Sequence, residues 1–152
     1  MLKTLSKSEV RELEDTFVLK YGQAIVSKKD IVQIVDTKLL LVNKEAFFFL
    51  YEGEWVPTLK LLLKKNILRT ITVDMGAIKF VIGGADIMRP GIVAVADNIK
   101  AGDAVAVIDV NNKKPLAVGK ALFSSQEIKD YKTGRVIKNI HWVGDTIWAA
   151  NP

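Results

Sequence analysis

The chain has no cysteine and a single histidine among its 152 residues. Disulfides and thiolate metal sites are thereby excluded. One histidine without a carboxylate pair at ligand spacing does not make a metal centre. Absence of cysteine also fits a reducing compartment. No apolar run is longer than Ala46–Tyr51, far below the roughly 20 residues a membrane helix needs. The segment Met1–Glu9 has no apolar core of signal-peptide length. The expectation is a cytoplasmic protein with no membrane partner. Also missing are a phosphate-binding P-loop, a dinucleotide fingerprint and a Gly-x-Ser-x-Gly nucleophile motif. No side chain stands out as a catalytic acid, base or nucleophile, so no catalytic residue, no metal and no cofactor are expected.

Charge is spread without a block of one sign. Twenty-two basic and 17 acidic residues give a net +5. The surplus is +2 over residues 1–68 and +3 over residues 69–152. That is a mild lean toward anionic partners.

What is present reads as two units. Ser6-x-x-Glu9 is a capping box opening a helix, with Val10, Leu13 and Phe17 on its apolar face and Gly22 at its end. Ala24–Val26 is a short strand candidate. Ile31–Asp36, Lys38–Val42 and Ala46–Tyr51 form an antiparallel meander, because turns such as Asn43-Lys44-Glu45 are too short for crossovers. Pro57 suits the first position of a helix carrying Leu59, Leu62 and Leu63 on one face and Lys60, Lys64 and Lys65 on the other. From Arg69 the pattern changes. Arg69–Asp74, Ile92–Ala96, Ala104–Val110, Leu116–Phe123, Val136-Ile137 and His141–Ala149 read as six short strands, with a bulge or bend at Gly119. A short helix over Gly76–Gly84 turns Ala77, Ile78, Phe80 and Val81 inward, and Ser124 or Ser125 caps another helical turn. Six short strands and tight turns predict a small closed or half-closed barrel. The fold class is α+β, a small N-terminal α+β domain at 1–68 packed on a barrel domain at 69–152.

The most informative stretch is Gly83-Gly84-Ala85-Asp86-Ile87-Met88-Arg89-Pro90-Gly91. Glycines let a backbone approach phosphate closely, and Arg89 has the fork to grip it. The other reading is a helix stop followed by a proline turn. Lys79, on the polar face of the short helix, adds a phosphate contact or is merely solvated; Lys120 on a barrel strand carries the same two readings. His141 is read as a strand-end histidine held by Asp145 or by backbone, or as an RNA-facing group beside Trp142. Trp142 and Trp148 are read as core, with base stacking as the other role.

With those residues in view, the second unit resembles a PUA domain, the RNA-binding module of pseudouridine synthases and archaeosine transglycosylases. The likeness lies in Val73-Asp74-x-Gly76-Ala77, the Gly83–Gly91 turn, Gly102-Asp103 and Ala117–Ala121. The whole chain resembles the malignant-T-cell-amplified-sequence family and its archaeal relatives, through Val73–Val81, Ala85–Gly91, Pro57–Leu62 and Asn139–Trp148. The first 25 residues match it poorly. The resemblance implies a PUA pseudo-β-barrel and a role in translation. It implies partners among tRNA, ribosomal RNA, the small ribosomal subunit and a translation-factor protein such as density-regulated protein. Its RNA groove carries over to Lys79, Gly83, Gly84, Asp86, Met88, Arg89, Pro90 and Gly91, with His141 and Trp142. Two other roles remain open. One is an accessory or targeting module for a tRNA- or rRNA-modifying enzyme. The other is a protein adaptor using the Pro57–Lys65 helix and Phe47-Phe48-Phe49.

Overall fold

A computed structural model describes residues 1–150. It opens with β1 (Leu2–Thr4) and α1 (Lys7–Tyr21). Ser6 and Glu9 close the expected capping box, and Gly22 ends the helix at φ 73°. Next come β2 (Val32–Val35), β3 (Leu39–Val42), β4 (Glu45–Tyr51) and β5 (Glu54–Pro57). These form an antiparallel sheet in the order β1-β2-β3-β4-β5. Three tight turns join its last four strands, centred on Asp36-Thr37, Asn43-Lys44 and Glu52-Gly53. All six residues have positive φ, the backbone hand that matches strand twist. Helix α1 lays Val10 and Phe17 against Val32, Leu40, Val42 and Phe48, with the Phe17 and Phe48 rings stacked at 4.3 Å.

Helix α2 (Leu59–Lys64) leads to the second sheet. Its strands are β6 (Thr70–Val73), β7 (Ile87–Met88), β8 (Ile92–Val95), β9 (Ala104–Asp109), β10 (Pro115–Ala121) and β11 (Arg135–Trp142). Among them lie α3 (Ile78–Val81) and α4 (Ser125–Asp130), and α5 (Thr146–Ala149) comes after the last strand. The order is β7-β11-β10-β9-β6-β8, and only β6 with β9 is parallel. The edge strands β7 and β8 are joined through the single 3-10 turn Arg89–Gly91, so the sheet curls into a nearly closed barrel. Ile71, Val73, Val105, Val107, Ala117 and Ile137 fill it. Gly119 marks a register shift against β11. A Cβ there would stand 2.3 Å from Ile137 Cγ2, so only glycine lets β11 approach.

The two sheets share a third core. Ala106, Ile108 and Val118, on the outer face of β9 and β10, meet Phe49, Val56, Leu59 and Leu62. Each fully buried large side chain there contributes about 1.5–3 kcal/mol. His141 lies within this contact, fully buried. Its Nε2 accepts the Leu59 N–H at 3.1 Å, and its Nδ1 meets Asp145 Oδ2 at 2.8 Å.

Several local expectations fail for identifiable reasons. Ala24–Val26 is not a strand; Ile25 sits at φ 57° and Val26 N–H donates back to the Ala24 carbonyl, closing a three-residue turn. Pro57 ends β5, and Thr58 is the helix cap that accepts from Leu61 N–H. Helix α2 therefore buries Leu59, Leu61 and Leu62, leaving Leu63 exposed. Strand β11 is continuous to Trp142, and the chain then turns into helix α5, because Asp145 caps that helix by accepting from Trp148 N–H. Phe80 faces solvent.

Candidate nucleic-acid interface

The corner after α3 is built by backbone chemistry. Asp74 Oδ1 accepts from Ala77 N–H at 3.0 Å and starts the 3-10 turn Met75–Ala77, which continues as α3. At its end Gly83 and Ala85 both donate to the Phe80 carbonyl, at 3.2 and 3.0 Å. Gly84 adopts φ 91°, a region costly for a residue with a Cβ. Its Cα lies against the Trp142 indole: a Cβ at residue 84 would be 2.7 Å from Cζ2. Trp142 is thus a floor beneath the corner and is half-buried.

Asn139, which the sequence pattern did not single out, sews the corner to β11. Its Nδ2 donates to the carbonyls of Val81 and Ala85, both at 3.0 Å. Asp86 completes the stitch, accepting from Asn139 N–H at 2.9 Å and from Arg135 Nη1 at 3.1 Å. An asparagine within the largely apolar run Val136–Ile140 was the available signal, since a buried amide needs partners.

Arg89 is not the free fork expected of it. Its Nε donates to the Ile128 carbonyl at 2.6 Å and its Nη1 to the Ile92 carbonyl at 3.1 Å. Through these two bonds the guanidinium clamps α4 and β8 to the turn, so Nε is spent and only Nη protons remain for a ligand. His141 is a second correction. It has no solvent-facing atom, and both ring nitrogens are occupied. Burial pushes its pKa below the ordinary value, against the opposing pull of Asp145. It belongs to the contact between the sheets, not to a nucleic-acid surface.

The remaining predicted residues come together. Gly83, Met88 and Pro90 are exposed, and Gly84 and Gly91 partly so. Lys79 is exposed, its Nζ 5.1 Å from the Phe80 ring centroid. A Cβ built on Gly91 would meet Ala77 Cβ at 3.4 Å, so the short helix and the Arg89–Gly91 turn are neighbours. Lys120 lies elsewhere, paired with Glu52 across the two sheets at 3.0 Å. It lines a cleft of about 650 Å³ in which Lys20 and Glu54 also pair. Those charges are mutually satisfied. Phe48 and Phe49 are buried and so unavailable to a partner, while Phe47 is partly buried with the Lys64 ammonium over its ring. No helix among the described residues is long and apolar enough to cross a membrane.

Comparison with known proteins fits this geometry. Residues 69–143 match the PUA domain model, and residues 3–65 match a domain of unknown function, DUF1947. The curled second sheet is thus that of a PUA-domain protein. An uncharacterised protein of Methanocaldococcus jannaschii is 44% identical over 95% of this chain and 93% of its own length. Malignant T-cell-amplified sequence 1-A of Xenopus laevis is 41% identical over 97% and 88%. Translation machinery-associated protein 20 of Eremothecium gossypii is 36% identical over 82% and 75%. The chain belongs to the malignant T-cell-amplified sequence family. The crystal structure of a hypothetical protein from Pyrococcus horikoshii superposes over 100% of both chains, with a TM-score of 0.87 and 30% identity. A chain of an H/ACA RNP bound to a substrate RNA also superposes, at TM-score 0.52 and 26% identity, over 65% of this chain and 31% of that one.

Proposed function

We propose that this chain is a non-enzymatic RNA-binding protein of the translation machinery. It has two domains, 1–68 and 69–152, and it holds structured RNA, the tRNA acceptor end or small-subunit ribosomal RNA. Contact runs through Lys79, Gly83, Gly84, Met88, Pro90 and Gly91, while Asp86, Arg89 and Trp142 hold these in place. The observation that carries the reading is the exposed glycine corner. Its backbone is stitched to β11 by Asn139, beside the exposed Lys79. Without a Cβ at residues 83 and 84 an RNA strand can lie close to this backbone, with a phosphate held at the Lys79 ammonium. Support also comes from the PUA match, the translation-associated relative and the structural neighbour bound to RNA.

Filter retention of bulk tRNA and small-subunit RNA across a salt series tests it. With one phosphate neutralised at Lys79, log affinity falls against log salt at a slope of about −1, and more steeply where the RNA reaches further basic residues. Failure to retain either RNA at low salt, or a salt-flat response, overturns the reading. Likeness to part of an RNA-modification complex favours an accessory role as a second reading. New modified nucleosides after incubation with bulk tRNA and that complex would support it.

A further inference from the structure

We propose that Phe80 is a base-stacking platform, and that the RNA held by this surface is unpaired where it makes contact. This rests on the RNA-binding reading above and specifies the form of its ligand.

Phe80 occupies the short helix α3, whose inward residue is Val81. It leaves 59% of its surface in water, although its own carbonyl anchors Gly83 and Ala85 of the corner. The backbone of residue 80 is fixed while its ring lies mostly in water, with the Lys79 ammonium near it. Nor is it alone. Five of the thirteen exposed large apolar side chains among the described residues, Met75, Phe80, Ile82, Met88 and Val93, fall between residues 75 and 93. Concentrated apolar exposure of this kind marks a binding surface.

The charges select the ligand. Arg89 and Asp86 are spent on internal partners. Between residues 75 and 85 the only ionisable side chain is Lys79. One cation 5.1 Å from one aromatic ring has the makings of a single-nucleotide seat, with the base on the ring and its phosphate at the ammonium. A duplex fits poorly. Its bases are already stacked on one another, and its A-form backbone is held by several cations at phosphate spacing. This corner presents Lys79, while Arg135 beside it is already tied to Asp86.

The test is fluorescence anisotropy of the full chain with a short unpaired oligoribonucleotide and a blunt RNA duplex of equal length. Unpaired RNA should bind more tightly than duplex. Phe80→Ala should weaken unpaired binding about tenfold and leave duplex binding and the melting temperature unchanged. Phe80→Trp should keep the affinity and show quenching of its added fluorescence by the oligonucleotide. Wild-type affinity in Phe80→Ala overturns the proposal while the RNA-binding reading stands. So does equal loss on both RNAs. If Phe80→Ala spares RNA affinity but loses a protein ligand, the apolar face serves that protein and the proposal falls. Should the unaltered chain bind neither RNA, the underlying reading fails first.

Discussion

Gly84 and Trp142 are fitted to one another: the glycine lies so close over the indole that a methyl group there would stand 2.7 Å from Cζ2. Backbone conformation adds a second restriction, since Gly84 sits at φ 91°. Gly84→Ala should therefore destabilise by about 1–3 kcal/mol, through strain and overpacking together. Trp142→Phe removes the ring atoms that clash but none of the φ cost. The double variant should recover at least about 0.5 kcal/mol relative to the sum of the singles. Urea denaturation of all four proteins checks this, and strict additivity would show that the indole is not what confines residue 84.

Arg89 and Lys79 should separate in experiment, because one is tied inward and the other is exposed. Arg89→Ala strips the carbonyls of Ile128 and Ile92 of their donor. At this half-buried site the cost should be about 1–2 kcal/mol. RNA affinity well below the melting temperature should change little. Lys79→Ala should leave stability unchanged and reduce the salt slope of RNA binding by about 1. A severe affinity loss in Arg89→Ala without loss of stability would put its guanidinium back on the RNA.

The periodicity of Val10, Leu13 and Phe17, the Asn43-Lys44 turn and the bulge at Gly119 were legible in the sequence because each is a local signal. The same holds for most of the barrel strands, although the two-residue β7 reads as part of the glycine turn, and β11 is one strand where the pattern suggests two. The failures share a cause. Whether Arg89 faces water depends on Ile128, 39 residues away. His141 is buried by Leu59, 82 residues away. Asn139 organises the corner through Val81 and Ala85, 58 and 54 residues upstream. A residue type announces what it is able to bond; only the tertiary fold decides what it does bond. Motif reading therefore located the corner and misjudged which of its polar groups remained free.

His141 gives the contact between the sheets a pH dependence with a definite sign. Desolvation lowers its native pKa below the ordinary 6.5. Between that native value and 6.5, the unfolded chain binds a proton that the folded one refuses. Stability should thus be constant above neutrality and fall as pH drops below 6.5. Protonation of Nε2 would also set a donor against the Leu59 N–H it now accepts. Urea midpoints measured from pH 8 to 5 test this, with His141→Phe as the control. That variant should be less stable by about 1–3 kcal/mol, having orphaned the Leu59 donor and left Asp145 with its backbone partners alone. Its remaining pH slope should be the shallower; an equal slope would assign the dependence to the carboxylates.

Thr37 offers a stabilising substitution far from the glycine corner and from the contact between the sheets. It is the second central residue of the β2–β3 turn, exposed, with φ 56°. A β-branched side chain in the left-handed region costs about 1–2 kcal/mol relative to glycine. Glycine returns about 0.5–1 kcal/mol of that as added freedom in the unfolded chain. Thr37→Gly should accordingly raise stability by about 0.5–1 kcal/mol. Thr37→Ala should gain less, because alanine keeps a Cβ and with it most of the strain. Lys44, at φ 71° in the next turn, is unbranched at Cβ, so Lys44→Gly should gain less than Thr37→Gly. Urea midpoints of the three variants check the order. If alanine and glycine at residue 37 prove equally stabilising, the benefit comes from removing the threonine's bond to the Asp36 carbonyl, not from the backbone.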